Sequence, residues 1–261
     1  MDLATIIGLG TAFFAIGFSV LLSGANPLLY YDVPSIFITI VGSTATIVAM
    51  NPLGRFLNIV TVFTKALQMQ RIEFERVIRT LVEFSERARR EGLLALEDNL
   101  QEVEDEFMRK GIQLVVDGTD PELIKSVMGN ELSQIQARHG ANIKMFDDWS
   151  KQGPAWGMLG TLLGLIMMLG NLGGDKTAIG KGMGTAMITS LYGAVMCYAL
   201  FVPVKIKLED KDKEETLMKE LVMEGVLSIQ AGDNPRILLE KLVAFLPPKR
   251  REAMRQESAK E

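Results

Sequence analysis

The chain is poor in the residues on which most enzymes and metal sites depend. Its 261 residues include one cysteine, Cys197, and one histidine, His139. A single cysteine excludes a disulfide within the chain, and one histidine with no second histidine or cysteine near it leaves no metal-binding signature. We expect Cys197 to be a small packing residue and His139 a surface residue. No serine-nucleophile elbow, Walker loop or zinc signature is present, so neither enzymatic activity nor a cofactor is expected.

Acidic and basic residues are missing from four long stretches, which are Leu3–Tyr31, Val33–Gly54, Gln152–Gly174 and Gly182–Val204. Each is long enough for the roughly 20 residues of a membrane-spanning helix. Because 48% of the residues are hydrophobic while 23% are charged, polar and apolar residues must be segregated along the chain. The sequence therefore predicts an all-α membrane protein with four transmembrane helices and a helical cytoplasmic domain.

The predicted organisation alternates membrane hairpins with cytoplasmic regions. The hairpins are residues 1–54 and 152–204, and the cytoplasmic regions are a helical domain at 55–151 and a helical extension and tail at 205–261. The spans are expected at about 3–23, 34–52, 153–172 and 182–203. No basic segment precedes the first apolar run, so we expect that run to be retained as a span rather than cleaved as a signal peptide.

The distribution of lysine and arginine predicts the orientation in the membrane. The region from Arg55 to Lys151 carries 14 of them and the region from Lys205 onward carries 12, against only Lys176 and Lys181 between the last two spans. The positive-inside rule then places both termini in the cytoplasm. A net charge of −4 with no concentrated basic face argues against binding to nucleic acid.

Two helices are predicted between the second and third spans before a longer one. Apolar residues at three- and four-residue intervals predict a helix over Ile72–Arg90 that Gly92 interrupts. A second, acidic helix is expected over Leu94–Arg109, ending near Gly111. A long helix is then expected to begin at Asp120 and Pro121 and to run past Ser150 into the third span, because aspartate suits an N-cap and proline a first helical turn.

The region after the fourth span is also predicted to be helical. An amphipathic helix is expected over Lys205–Leu227, and a last helix restarts at Asn234 and Pro235. Pro247 and Pro248 are expected to end it, which leaves the polar segment Lys249–Glu261 as a loose tail.

The last two spans are rich in small and hydroxyl-bearing residues. The third has Thr161 among glycines at 153, 157, 160 and 164, and the fourth has Thr189 and Ser190 among Gly182, Ala186 and Ala194. Small residues four apart allow helices to approach closely, and simple helix packing is one explanation of each hydroxyl. Ion transport is another, but it normally needs an acid within the membrane, which neither span supplies. If this protein conducts ions, a partner helix provides the titrating carboxylate.

Several motifs along nearly the whole chain stand out. The strongest are Pro154–Leu165, Ser190–Ala194 and Phe201–Pro203 in the last two spans. Others follow at Tyr31–Ser35, Ala88–Glu97, Val116–Gly118, Glu224–Gln230 and Asn234–Arg236. In this order they resemble the MotA/PomA family of flagellar motor stator subunits, within the MotA/TolQ/ExbB proton channel superfamily.

The resemblance implies an assembly and a mechanism. Five copies of the chain would surround two copies of a MotB/PomB-type partner, a single-span peptidoglycan-binding subunit whose span carries an ion-binding aspartate. Ion flow across the bacterial inner membrane would then drive the rotor through its switch protein FliG. The nearest alternatives are an ExbB/TolQ-type energiser subunit, whose usual three spans fit poorly, and a non-conducting membrane scaffold or signalling protein.

The resemblance also assigns roles to particular residues. Pro154 and Pro203 match prolines tied to conformational coupling, although proline also suits the start of a span or a kink at its exit. The charges that match rotor contacts are Arg89, Arg90, Glu97 and Asp98, for which a solvated helix face is the alternative. Asp32 matches an aspartate near the ion entrance, and a helix cap is its ordinary explanation.

Which ion would pass is indicated by Thr161, Thr189 and Ser190. Sodium-type relatives carry threonine where Thr161 stands and a hydroxyl pair at the other two positions, whereas several proton-type relatives have alanine at the first. Hard cations take oxygen ligands, so the pattern implies a transient sodium site near Thr161 and Thr189. We therefore favour Na+ slightly over H+ as the transported ion.

Overall fold

The structure, a computed structural model, describes residues 2–68 and 73–258, and nearly all of these are helical. The chain divides into two units. Met1–Met69 with His139–Asp210 form what we call the span unit, and Gln70–Arg138 with Lys211–Glu261 form the charged unit. The predicted all-α class is confirmed.

The first helix, α1 (Leu3–Leu22), begins at a capping aspartate. The Asp2 carboxylate accepts hydrogen bonds from the backbone N–H of Ala4 (3.1 Å) and the hydroxyl of Thr5 (2.7 Å). Little of α1 is buried, and its apolar side chains are exposed nearly all round. Such a surface is expected where lipid rather than water is the solvent.

The second helix, α2 (Val33–Met50), contains a π turn over Phe37–Val41. Its polar side chains Ser35, Thr39 and Ser43 are fully buried. Two short helices follow, α3 (Leu53–Leu57) and α4 (Ile59–Leu67). The amphipathic α4 buries Val62 and Ala66 in a cluster with Phe146, Phe201 and Val204.

The charged unit begins with α5 (Phe74–Glu91), which buries the stripe Ile78, Leu81 and Phe84. Ile72, where this helix was expected to begin, lies outside the described residues. The chain turns at Gly92, whose φ of +90° is a conformation that other residues rarely adopt. This confirms the predicted interruption.

The prediction of one helix over Leu94–Arg109 is wrong. Leu93–Glu102 forms a 3₁₀ segment, and a separate helix, α6 (Glu106–Val116), starts at Asp105, which accepts a hydrogen bond from the backbone N–H of Met108 (2.8 Å). Gly111 lies inside α6 rather than at an end. It packs closely there, because an added Cβ would lie 2.7 Å from the terminal methyl of Met128 and 3.0 Å from a methyl of Val226.

Two long helices carry the remaining spans. The first, α7 (Pro121–Gly170), is capped by Asp120, which accepts from the backbone N–H of Glu122 (2.9 Å), so the predicted long helix is confirmed. The second, α8 (Lys176–Gln230), includes a π turn over Val195–Phe201. With α1 and α2 they make four helices, within residues 2–68 and 73–258, that are long and apolar enough to cross a membrane, as predicted. The membrane boundaries within them stay predictions.

The C-terminal region has more structure than its composition indicated. Helix α9 (Pro235–Val243) is capped by Asn234, and α10 (Pro248–Ser258) follows. The prediction of a loose tail over Lys249–Glu261 is therefore wrong for the part up to Ser258, which is helical. Residues 259–261 lie outside the described residues. Met254 is buried, and the Arg251 guanidinium donates to the carbonyls of three residues at the end of α9, which are Val243, Ala244 and Leu246.

Candidate functional site

Glycines bring α7 and α8 into backbone contact within the span unit. A Cβ added to Gly164 would lie 2.5 Å from the backbone nitrogen of Ala186 and 2.6 Å from the carbonyl oxygen of Gly182. A Cβ added to Gly193 would lie 2.6 Å from the carbonyl oxygen of Gly153. This is the close approach that the four-residue spacing of small residues predicts.

The close approach brings two of the predicted hydroxyls together. The oxygens of Thr161 and Ser190 lie 2.5 Å apart. The Thr161 hydroxyl also lies 3.0 Å from the carbonyl oxygen of Gly157 and 3.1 Å from that of Ala186. Four oxygens without a formal charge thus lie close together, which is the ligand type that a hard cation accepts.

This hydroxyl pair opens into a groove between α7 and α8 with a volume of about 370 Å³. The described residues that line it are Pro154, Met158, Thr161, Leu162, Ser190, Ala194 and Tyr198. None of these is aspartate or glutamate. The groove is therefore mostly apolar, with two hydroxyls at its wall and no carboxylate to exchange an ion.

Thr189 does not share the groove with its neighbour Ser190. It is fully buried, and its hydroxyl lies 2.9 Å from the carbonyl oxygen of Thr185 and 3.0 Å from that of Ala186. Its side chain packs against Gly160, where an added Cβ would come within 2.4 Å. In this structure Thr189 fixes the helix pair, and a transient contact with an ion stays a prediction.

Asp32 acts as a cap on α2, which confirms its ordinary explanation. Its Oδ2 accepts from the backbone N–H (3.0 Å) and the hydroxyl (2.5 Å) of Ser35. The same oxygen accepts from the Thr185 hydroxyl on α8 (3.2 Å). A place for Asp32 in the ion pathway stays a prediction.

Two hydroxyl residues at the contact between α2 and α8 were missed by the sequence reasoning. Ser35 and Thr39 of α2 are buried against α8, where each hydroxyl lies 3.4 Å from a carbonyl oxygen, of Thr185 and Thr189 respectively. The four-residue spacing of Ser35, Thr39 and Ser43 was a usable signal, because it places all three on one face of a helix.

The two prolines occupy different settings. Pro154 lies inside α7 and lines the groove, so it does not start the helix, and its place at the start of the span stays a prediction. Pro203 follows the π turn of α8, in which the N–H of Val202 bonds the carbonyl of Cys197. Proline has no N–H and π turns are frequent at functional sites. A coupling role for either proline stays a prediction.

The four charges matched to rotor contact are all exposed on the charged unit, at the corner around Gly92. Arg90 pairs with Glu86 of its own helix (3.1 Å), and the structure's described residues offer no ion pair to Arg89, Glu97 or Asp98. Leu94, between them in sequence, is 73% exposed. Their exposure leaves these charges accessible to a partner, and a rotor contact stays a prediction.

The two rare residues take no part in a metal site among the described residues, which contain no group of three or more histidine, cysteine or carboxylate side chains. Cys197 is buried at the π turn of α8, in agreement with a packing residue. His139 is half-buried on α7.

Comparison with known proteins gives one consistent family. Residues 99–221 match the profile of the MotA/TolQ/ExbB proton channel family. The chain is 45% identical to Motility protein A of Borreliella burgdorferi over 96% of both chains, and 37% identical to the chemotaxis protein PomA of Vibrio alginolyticus over 94% of this chain and 96% of that one. It superposes on one chain of the flagellar MotAB stator complex from Bacillus subtilis with a TM-score of 0.86 and 31% identity, over 96% of this chain and 98% of that chain.

Proposed function

Because this chain belongs to the MotA/TolQ/ExbB proton channel family and is a stator subunit of the MotA/PomA type, we propose that it converts ion flow into torque on the flagellar rotor. It is a membrane protein of the bacterial inner membrane. The observation that carries the proposal is the groove between α7 and α8, which has hydroxyls in its wall but no carboxylate. A channel wall of that kind is incomplete without an acid from elsewhere.

The partner that completes the groove is, in this proposal, a MotB/PomB-type subunit with one span and a peptidoglycan-binding domain. The solved Bacillus subtilis relative is a complex of MotA with MotB. In this proposal a single apolar helix with one aspartate lies along the groove, whose lining includes the apolar side chains of Met158, Leu162 and Ala194. Five copies of this chain around two copies of the partner would enclose that aspartate in a ring of hydroxyls.

The orientation proposed is with both termini in the cytoplasm. The support is the excess of lysine and arginine in residues 55–151 and 205–261 over the linker between the last spans. The charged unit then faces the rotor. A reporter enzyme that is active only in the cytoplasm, fused after Glu261, should be active, and an inactive fusion would reverse the assignment.

The ion proposed is Na+, with H+ as the alternative. The support is the group of uncharged oxygens around Thr161, to which Ser190 contributes its hydroxyl and Ala186 its carbonyl. A sodium ion that has lost water needs several such ligands, whereas a proton can pass to a carboxylate without them.

Thr161→Val tests this role, because valine keeps the shape of threonine and removes the oxygen. We expect swimming speed to require a higher sodium concentration for half its maximum, by roughly 10-fold, the value of about one hydrogen bond to a charged group. Speed would be measured against sodium concentration in cells whose only stator contains this chain.

Thr44→Val is the matched control, since the exposed Thr44 hydroxyl of α2 bonds only the Ile40 carbonyl of its own helix (2.7 Å). It should leave the sodium dependence unchanged. Swimming by the unaltered chain that ignores sodium and stops when the proton gradient is removed would contradict sodium coupling.

Rotor contact is proposed for Arg89, Arg90, Glu97 and Asp98. Opposite charges on the switch protein FliG would orient docking and keep it reversible. Arg90→Glu should lower torque while the stator still assembles, and reversing an opposing charge on the switch protein should restore it. Lys125→Glu, at another exposed position of the charged unit, should have little effect, and an equal loss there would argue against a specific surface.

The deciding experiment is the loss of the gene from its host. Cells that build flagella but cannot swim, and that swim again when the gene is returned, would support the stator. Cells that swim normally would contradict it. Cells that swim but lose a function of the outer membrane would instead support an ExbB/TolQ-type energiser, and swimming cells with neither defect would leave a non-conducting scaffold.

A further inference from the structure

Beyond the groove, on the side of Pro154, α7 and α8 are joined by an ion pair. Asp147 of α7 lies 2.8 Å from the ammonium of Lys205 on α8, and it also pairs with Lys151 of its own helix. Lys205 lies 3.5 Å from Glu209. Hydrogen bonds from Lys151 and Lys205 lower the pKa of the Asp147 carboxyl, and the bond to Asp147 raises the pKa of Lys205. Both partners are therefore charged throughout the physiological range.

An aromatic contact lies beside this ion pair. The rings of Trp149 and Phe201 are stacked with centroids 4.5 Å apart, and Phe146 packs on Phe201 at 6.4 Å. Phe146, Phe201 and the adjacent Val204 are buried. Stacked rings add to the free energy gained from the buried area. The aromatic contact and the Asp147–Lys205 ion pair therefore hold the same segments of α7 and α8 together.

A second ion pair holds the same stretch of α8 to the start of the chain. The Asp2 carboxylate lies 2.9 Å from the ammonium of Lys207, and the backbone N–H of Asp2 donates to the carbonyl of Leu67 (2.8 Å). Hydrogen bonds from Thr5 and Lys207 lower the pKa of Asp2. Lys205 is thus paired with α7, and Lys207 with Asp2 before α1.

These contacts lie next to the part of α8 with the least regular hydrogen bonding. The π turn Val195–Phe201 ends two residues before Pro203, which has no N–H to donate. Lys205 follows Pro203 by two residues. A displacement of Ser190 or Ala194 could be taken up by bending at this turn, unless the helix beyond it is held to α7.

We propose that the Asp147–Lys205 pair locks α7 to α8 beyond Pro203, so that a displacement of the groove residues moves both helices together and is delivered as torque. This inference rests on the proposed function as a stator. Asp147 and Lys205 line no part of the groove, so they act as positioning residues. Without the pair, ions would pass while the helix bends at the π turn, and force under load would be lost.

Asp147→Asn tests the lock in cells whose only stator contains this chain and its MotB-type partner. We expect the stall torque of tethered cells to fall about two- to thirty-fold, the range seen for residues that couple two sites. Speed at low load and its dependence on the ion should be unchanged, because the groove is intact. Asp147→Glu, which keeps the charge, should restore torque.

Asp148→Asn is the matched control, since among the described residues the neighbouring Asp148 pairs only with Lys144, one turn earlier on the same helix (2.9 Å). It should keep wild-type torque. Lys205→Gln provides a second test if the first variant does not accumulate, and it should show the same loss under load.

Three results would overturn the lock: normal stall torque in both Asp147→Asn and Lys205→Gln, an equal fall in Asp148→Asn, or a fall in Asp147→Asn that Asp147→Glu does not reverse. Failure of the unaltered chain to restore swimming would instead contradict the proposed function. The two failures are therefore distinguishable.

Discussion

Replacing Gly164 by alanine is expected to separate the last two spans and to abolish swimming. The added Cβ would lie 2.5 Å from a backbone nitrogen of α8, where ordinary contact begins at 3.4 Å. The difference is 3.4 − 2.5 = 0.9 Å, and both contacting groups are backbone, which no side-chain rotation can relieve. Overpacking of this kind costs about 1–3 kcal/mol or more.

The separation would also disrupt the groove, because Thr161 lies on the same helix one turn earlier. Its hydroxyl already lies 3.1 Å from the Ala186 carbonyl, next to the point of contact. We therefore expect a lower amount of the protein in the membrane, and no motility from the part that remains. Immunoblotting of the membrane fraction and swimming speed measure the two effects.

Gly170→Ala is the control on the same helix, since an added Cβ there meets no atom within 4 Å. It should accumulate normally and support swimming. If Gly164→Ala behaved like Gly170→Ala, that result would contradict the close backbone contact between α7 and α8 and the groove shape that depends on it.

Leu162→Trp is expected to abolish swimming by filling the groove. Leu162 lines the groove, whose volume is about 370 Å³, and its side chain is 54% exposed there. An indole would occupy the space that a partner helix needs, and overpacking at a close-packed contact costs about 1–3 kcal/mol. Unlike Gly164→Ala, this variant should accumulate in the membrane, because the added volume extends away from its own fold.

The neighbouring Leu163→Trp is the matched control. Leu163 is 48% exposed but is not part of the groove lining, because adjacent residues of a helix point about 100° apart. It should retain swimming. Recovery of the partner with each variant by affinity purification would show whether Leu162→Trp fails at partner binding, and normal recovery with Leu162→Trp would contradict the account.

Local signals in the sequence predicted much of this fold. The spans followed from the missing charges, the start of α7 from Asp120 with Pro121, and the small-residue packing faces of the last two spans from small residues four apart. Each of these depends on neighbours within one or two turns of a helix, where spacing alone determines which side chains share a face.

Features that depend on distant contacts were missed. Thr189 and Ser190 were expected to act together, yet adjacent residues of a helix point about 100° apart, and Thr189 is buried against Gly160 while Ser190 lines the groove. Gly111 looked like a helix end because its close neighbours, Met128 and Val226, lie far along the sequence. For the same reason the pairing of Asp147 with Lys205 could not be read from the sequence.

The central claim, that the groove receives an acid-bearing helix of a second subunit, is tested most directly by disulfide cross-linking. In a Cys197→Ala background, Leu162→Cys and Leu163→Cys would each be combined with a cysteine beside the aspartate in the partner's span. A disulfide requires Cα atoms within about 7 Å. The account predicts a cross-link on mild oxidation from position 162 and none from position 163. A cross-link from position 163 with none from position 162 would contradict it.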